Sequence, residues 1–234
     1  MTPTYNERDN IEEFITRVLA IVPTFDVFIV DDNSPDGTGE RVKQIAEKNP
    51  RVRLISRNSN RGFASACREG ITSIINMGYD SVVVMDADLS HDAREIPKMV
   101  AELVAGKHLV IGSRYIKGGG VVNWTPYRRL LSRWGNIYTQ LMLGLPTRDC
   151  TSGFRAYHSS VIQRGVISAS TSHGYAFQTE VLMRAHRFPD LKIVEVPITY
   201  VNRTVGESKM SNTIISESMR RVTAWGLSRL WRRK

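Results

Sequence analysis

Apolar residues along this chain recur first with a helical period and then in short unbroken runs. Ile11, Phe14, Ile15, Val18, Leu19 and Val22 share one helical face, with Asn6 placed as an N-cap. They predict an amphipathic helix of about four turns. Val27–Val30 is a short apolar run that breaks into Asp31-Asp32-Asn33-Ser34-Pro35-Asp36-Gly37. A buried strand followed by a polar turn is the expected reading. Residues 38–48 read as a helix, Val52–Ile55 as a strand, Asn58–Gly62 as a turn, and the segment to about Met77 as a helix. Val82-Val83-Val84-Met85 is another strand, ending in Asp86-Ala87-Asp88-Leu89-Ser90-His91. Ala93–Ala105 carries Ile96, Met99, Val100, Leu103 and Val104 on one helical face, and Leu109–Gly112 is a strand. This alternation predicts an α/β fold with a mostly parallel sheet flanked by helices.

The pattern then changes. Lys117-Gly118-Gly119-Gly120 reads as a hinge-like loop. After Pro126, a helix places Tyr127, Leu130, Leu131, Trp134, Tyr138, Leu141, Met142 and Leu145 on one stripe, with Arg128, Arg129 and Arg133 near its start. Such a stripe packs on the protein's own core or lies in a membrane interface with its arginines at headgroup level. Asp149–Arg155 is a polar turn leading to a short strand, Tyr175–Phe188 a helix and Ile193–Ile198 a strand. Asn202–Lys209 is rich in cations and contains Gly206, the chemistry that clamps phosphates. A last helix from about Asn212 puts Ile215, Met219, Val222, Gly226 and Leu230 on one side. The expected organisation is one domain over residues 1–234, with 126–145 and 212–234 as candidate membrane-interface helices within it.

Composition adds location and partner. Among 234 residues, 41% are hydrophobic, which suits one globular core. Two cysteines, Cys67 and Cys150, suit a reducing compartment rather than a disulfide framework. The opening residues lack a signal-peptide pattern, and no 18-residue apolar run occurs. A net charge of +9 suggests an anionic partner. After Glu217 no acidic residue follows, while Arg220, Arg221, Arg229, Arg232, Arg233 and Lys234 do. Together these predict a cytoplasmic protein, peripheral on a membrane.

The acidic strand end is the candidate chemistry. Two carboxylates one residue apart repel unless a cation lies between or beside them. Mg²⁺ is commonly held by one or two carboxylates plus phosphate oxygens. A helix-capping aspartate with a solvated neighbour has the same spacing, so the pair alone leaves both readings open.

Six motifs in order narrow the choice: Pro3–Glu7, Asp31–Thr38, Asp86–His91, Gly112–Tyr115, Asp149–Arg155 and Arg203–Lys209, with Gly118–Gly120 and Asn123-Trp124 beside them. In this order the chain resembles the polyprenol-phosphate mannosyltransferases, inverting family 2 glycosyltransferases of GT-A fold, over nearly its whole length. The resemblance implies transfer of mannose from GDP-mannose to a polyprenyl or dolichyl phosphate. It implies that Pro3, Tyr5, Glu7, Val30 and Asp32 hold the guanosine. Asp86, Ala87 and Asp88, with Ser90 nearby, would hold Mg²⁺ or Mn²⁺ and the diphosphate. Arg114 and Arg128 would bind the acceptor phosphate, and Arg203 and Lys209 the donor diphosphate. Asp88, Arg203 and Arg114 would then carry the catalytic electrostatics. Relatives place a first strand before the Pro3–Glu7 stretch, and here that strand is expected to be missing. Many relatives carry C-terminal transmembrane helices. This chain resembles the type held peripherally or by a small membrane-anchoring protein.

The acceptor bears on the mechanism. A phosphate monoester has a second pKa of about 6 and is already anionic at neutral pH, so transfer needs no general base. Asp149 would be a base only for a hydroxyl acceptor; a role in its turn is the alternative. His91 reads as a cap on the acidic loop. The rivals are a UDP-glucose or other UDP-sugar transferase and a non-catalytic membrane-associated binding protein. A nucleic-acid binder fits the charge but neither the acidic site nor the motif order.

Overall fold

Helices and strands alternate as the apolar pattern predicts. The structure, a computed structural model, describes residues 1–202 except Asn60 and Tyr175, and residues 212–231 with side chains at 216–229 and 231. The first half contains β1 (Thr2–Thr4), α1 (Arg8–Ile21), β2 (Val27–Asp31), α2 (Thr38–Lys48), β3 (Val52–Ser56), α3 (Phe63–Asn76), β4 (Ser81–Val84), α4 (Ile96–Val104) and β5 (Leu109–Ser113). The second half adds β6 (Gly120–Val122), α5 (Pro126–Leu143), β7 (Arg155–His158), α6 (Ser159–Gln163), α7 (Ala176–Ala185), β8 (Ile193–Pro197), β9 (Thr199–Val201) and α8 (Asn212–Trp231).

Strands β1, β2 and β3 pair in parallel, and β4, β7, β5 and β8 lie side by side in that order. Met1 joins the two groups: its amine donates to Val83 O at 2.8 Å, and Met85 N donates to Met1 O at 3.2 Å. A smaller parallel pair, β6 with β9, sits apart. Both faces of the main sheet are covered. Cys67, Ile71 and Ile74 of α3 and Val181 and Leu182 of α7 join Phe28, Val82, Val84, Leu109 and Tyr157 in one cluster. Ile11, Phe14 and Ile15 of α1, Val42 of α2 and Met99 of α4 join Val27, Ile29, Val110 and Ala156 in the other. A sheet buried on both faces needs no polar side, so its strands read as continuous apolar runs.

Several expectations change. The first strand is present: Thr2–Thr4 pairs with Ile29–Asp31 of β2. Asn6 is not the cap of α1. It adopts a left-handed backbone at φ 57°, which Asn tolerates better than most residues, and Glu7 takes the cap position. Strand β7 runs antiparallel to both neighbours. Helix α5 buries Asn136, Thr139 and Leu143, while Tyr127, Leu130, Trp134, Ile137 and Leu141 face outward. The predicted stripe therefore divides, with Tyr138 and Met142 packed inward against the core and most of the rest exposed.

Helix α8 packs along α5. Gly226 permits the approach, since a Cβ there would lie 2.6 Å from Met142 Cε and 3.0 Å from Met142 O. Tyr138 Oη and Thr223 Oγ1 hydrogen-bond across the seam at 2.7 Å. Val222 is buried, as the sequence spacing predicts, while Leu227 and Trp231 are exposed. The expected positions Ile215 and Leu230 lie outside the described side chains. No helix among the described residues is long and apolar enough to cross a membrane.

Arg155 at the start of β7 is wholly buried. Its guanidinium donates to the carbonyls of Ser152 at 2.9 Å, Gln178 at 2.7 Å and Cys150 at 3.0 Å. Arg155→Leu removes three buried hydrogen bonds, and is expected to destabilise the protein by about 3 kcal/mol or more. Thermal unfolding should register this as a Tm about 10 °C lower. An unchanged melting curve would mean that those carbonyls find other donors.

Candidate active site

The topology brings the motifs to one rim. Parallel strands β1, β2, β4 and β5 end there, delivering Tyr5–Glu7, Asp32, Asp86–His91 and Arg114. Because β7 runs the opposite way, it begins at that rim and brings Asp149–Phe154 with it. Carboxyl ends of the strands are where open α/β sheets bind ligands.

The acidic loop after β4 is bent by Leu89, whose φ of 60° is costly for a branched apolar residue. The bend returns Ser90 toward Asp88: its N–H donates to Asp88 Oδ1 at 3.1 Å and its hydroxyl at 2.5 Å. Asp86 N donates to His91 Nδ1 at 3.3 Å. His91 is buried between Phe154, at 5.0 Å between ring centroids, and Tyr200, at 5.4 Å. Burial lowers the His91 pKa to about 4 against the opposing pull of Asp88, so the ring is neutral at pH 7 and its Nδ1 can accept. His91 thus closes the loop as a cap.

Gly153 leaves space before Asp86. A Cβ at residue 153 would sit 3.6 and 3.7 Å from the two Asp86 carboxylate oxygens. Hard oxygen donors at Asp86 and Asp88, with an open cradle over one of them, fit a divalent cation that also takes phosphate oxygens. The described residues contain no cluster of three or more such ligands, so this donor set needs oxygens from elsewhere.

The expected nucleotide residues fall into different environments. Tyr5 is exposed, and Pro3 and Glu7 are half-buried at the end of β1. Val30 is fully buried in β2, so its side chain belongs to the core, and Ala87 is also buried. Asp32 is buried in a salt bridge with Arg57 and accepts from Gly62 N at 2.6 Å. Arg57 was not anticipated from the sequence, although it directly follows β3 at the same rim. Asp31 serves structure, accepting from Thr4 Oγ1 at 2.9 Å and from Ser34 N at 2.9 Å. Arg203 and Lys209 lie outside the described residues.

Arg114 and Asp149 form a bidentate ion pair: Arg114 Nε and Nη2 donate to Oδ2 and Oδ1, both at 2.7 Å. The Arg114 backbone N–H adds a third bond at 3.0 Å. Burial disfavours charge on both partners. Their mutual attraction overcomes this, holding Arg114 above its ordinary range and Asp149 below its own. Asp149 is fully buried and its carboxylate is engaged by Arg114, which favours the structural reading of this residue.

Arg128 stands in the first turn of α5, whose N-cap Thr125 accepts from Arg128 N. Its Nη1 donates to Asn202 Oδ1 at 2.7 Å, next to the Arg203–Lys209 segment. Its guanidinium carbon lies 4.3 Å from the Trp124 ring centroid, and that of Arg114 lies 5.7 Å from the same centroid. Trp124 in turn meets Tyr200 edge-on at 5.4 Å. The aromatic residues that separate the acidic loop from the arginines are distant in sequence, so spacing alone did not show them together.

Residues 1–165 match the family described as Glycosyl transferase family 2. The chain is 42% identical over 229 residues to the undecaprenyl-phosphate mannosyltransferase of Micrococcus luteus, covering 98% of this chain and 93% of that protein. It is also 42% identical over 227 residues to the polyprenol monophosphomannose synthase of Mycolicibacterium smegmatis, covering 96% and 85%. Among solved structures, the glucosyl-3-phosphoglycerate synthase of Mycobacterium tuberculosis, in complex with Mn²⁺, uridine diphosphate and glucosyl-3-phosphoglycerate, is similar with a TM-score of 0.66. That match covers 97% of this chain and 77% of the other at 20% identity, a likeness of fold.

The buried ion pair carries a pH signature. Asp149 has a depressed folded-state pKa, so its contribution is present above the ordinary carboxylate value of 3.8 and fades as pH falls below it. Asp149→Asn leaves Arg114 buried without a counter-charge and is expected to cost about 3 kcal/mol at pH 7. Urea titrations at a series of pH values should show the two proteins converging only in acid. A constant difference down to low pH would mean that charge is not what the pair contributes.

Proposed function

Because the chain belongs to glycosyl transferase family 2, we propose that it transfers mannose from GDP-mannose to a polyprenyl monophosphate with inversion. The products would be polyprenyl-phosphate mannose and GDP. The observation that carries this reading is the division of one rim into two chemistries. An acidic loop suited to a metal diphosphate lies on one side, and an arginine pair beside an exposed apolar helix lies on the other. Identity of 42% along nearly the full length of two polyprenyl-phosphate mannosyltransferases supports the same substrates.

In this mechanism an oxygen of the acceptor phosphate attacks the anomeric carbon of mannose while the bond from that carbon to the GDP oxygen breaks. Asp88 and Asp86 would hold Mg²⁺ or Mn²⁺. The bound ion would supply charge stabilisation to the departing diphosphate. Arg203 and Lys209, which follow β9 in the sequence, would share that task. Pro3, Tyr5 and Glu7 would line the nucleotide pocket, with Asp32 acting through its bond to Gly62 N. Arg114 and Arg128 would hold the acceptor phosphate in line with the anomeric carbon. Positioning two anions is the main work, and planar guanidinium groups suit it. A dianionic phosphate brings its own nucleophile, in keeping with an Asp149 that is locked to Arg114 and a His91 whose Nδ1 is occupied by Asp86 N.

The enzyme would work peripherally at the cytoplasmic face of a membrane. Tyr127, Leu130, Trp134, Ile137 and Leu141 of α5 and Leu227 and Trp231 of α8 present apolar surface outward, with exposed Arg129, Arg133 and Arg220 on the same helices. Amphipathic helices of this composition lie in the headgroup region, and each nearby cation adds about 1 kcal/mol at an anionic surface.

Radiolabelled GDP-mannose, polyprenyl phosphate and Mg²⁺ should give labelled lipid on extraction, whereas labelled UDP-glucose should give little. Asp88→Asn is expected to lower turnover by about 100-fold or more with unchanged melting temperature. No labelled lipid with GDP-mannose under any metal condition sinks the transfer reading. Full activity in Asp88→Asn removes the metal assignment alone.

The exposed stripe gives a separate test. The paired change Leu130→Glu and Trp134→Glu should weaken co-sedimentation with anionic liposomes by at least roughly tenfold. GDP binding in solution should stay as it was. Unchanged liposome binding would assign the stripe to another partner.

A further inference from the structure

Trp124 is the point at which the two sides of the rim meet. It lies between Asn123, whose φ is 59°, and Thr125, the N-cap of α5. The backbone therefore turns sharply before the helix, and the indole is carried inward until only 9% of the residue is exposed. Both guanidinium groups of the rim lie against this ring, Arg128 at 4.3 Å and Arg114 at 5.7 Å from its centroid. The far side of the contact leads back to the acidic loop. Tyr200 meets Trp124 at 5.4 Å and His91 at 5.4 Å, and Val201 N donates to Ser90 O at 3.0 Å. Ser90 is the residue that holds Asp88.

We propose that Trp124 is a positioning residue for the acceptor phosphate: an aromatic plate that fixes Arg128 against Arg114 and ties both, through Tyr200, to the loop of Asp88. The proposal rests on the reading of Arg114 and Arg128 as acceptor ligands. Arg114 is already oriented by its fork with Asp149. The described contacts of Arg128 are its bond to Asn202 and the face of Trp124. A long arginine side chain has many rotamers, and the ring face selects among them by cation–π attraction and stacking. Among the described residues the indole N–H has no hydrogen-bond partner, and the contacts of Trp124 with the two arginines are made by its ring.

A structural role alone would predict lost stability with both substrates affected alike. Positioning predicts a selective effect. In the full chain, Trp124→Leu should raise the KM for polyprenyl phosphate about tenfold, while the KM for GDP-mannose and GDP affinity by calorimetry change less than about twofold. Trp124→Phe keeps a ring face and should recover most of the loss. Trp124→Met supplies a longer, unbranched and more adaptable side chain without an aromatic face, should behave like the leucine variant, and replaces it if that variant does not fold. Arg128→Ala, measured in parallel, separates the two readings. If it leaves the lipid KM unchanged, the acceptor assignment fails. If it raises that KM while Trp124→Leu and Trp124→Met do not, the role of Trp124 fails. Equal rises in both KM values, or a phenylalanine variant as impaired as the leucine one, also overturn the proposal.

Discussion

The fork between Arg114 and Asp149 is the constraint from which the rim is built. Taking two charges out of water is expensive, and only good geometry with further hydrogen bonds offsets it. Here Asp149 accepts from Arg114 Nε, Nη2 and N and from Ser152 N, while its own N–H is held by Glu195 of β8. The pair therefore joins the end of β5 to the turn before β7 and to β8. With the turn fixed, Gly153 faces Asp86 and Phe154 packs on His91. One buried carboxylate, itself outside the proposed chemistry, thus sets both the space before the acidic loop and the direction of an arginine. Such preorganised charges need no rearrangement when a substrate arrives.

Arg155 extends the same logic with backbone carbonyls as its partners. Its donors satisfy carbonyls from Cys150, Ser152 and Gln178, so the turn is held from beneath as well as from the side. Gln178 belongs to α7, which packs against α8, and α8 packs against α5. The rim is coupled through these helices to the surface that carries the apolar stripe. The close approach that Gly226 allows at Met142 packs α5 and α8 side by side rather than as two separate surface elements.

The elements were readable in the sequence wherever apolar period and turn chemistry agreed. Val27–Val30 and Val82–Val84 have no polar face, and the structure buries both runs within a covered sheet except for a partly buried Val83. Direction was less evident. Four residues from Arg155 to His158 contain nothing that distinguishes parallel from antiparallel pairing, which depends on the path of the preceding helix. The stripe on α5 marked an apolar face without stating which way it points. Asn136 and Thr139 point inward because their side chains bond Cys150 N, Ser132 O and Gly135 O, polar contacts that periodicity cannot foresee. Asn6 misled because Asn serves caps and left-handed turns equally well. The acidic loop stood out from its spacing. Its support by His91, Tyr200 and Trp124 did not, because those rings meet only after the chain has closed on itself.

Helix α5 addresses a difference in solubility between the two proposed substrates. A nucleotide sugar arrives through water, whereas a polyprenyl phosphate keeps its chain in lipid and offers only its headgroup. Arg128 sits in the first turn of α5, and Leu141 lies roughly 20 Å farther along the axis at 1.5 Å per residue. In the proposed reading the outward apolar residues between them would follow a membrane interface; no helix among the described residues is long and apolar enough to cross a bilayer. A phosphate captured at the start of such a helix would then stay at headgroup depth, close to its lipid chain. The fold then has to bring only the donor's anomeric carbon to that depth. A rim on which the acidic loop and the arginines share the aromatic contacts of Trp124 and Tyr200 puts the donor and acceptor sides of the proposed reaction next to each other.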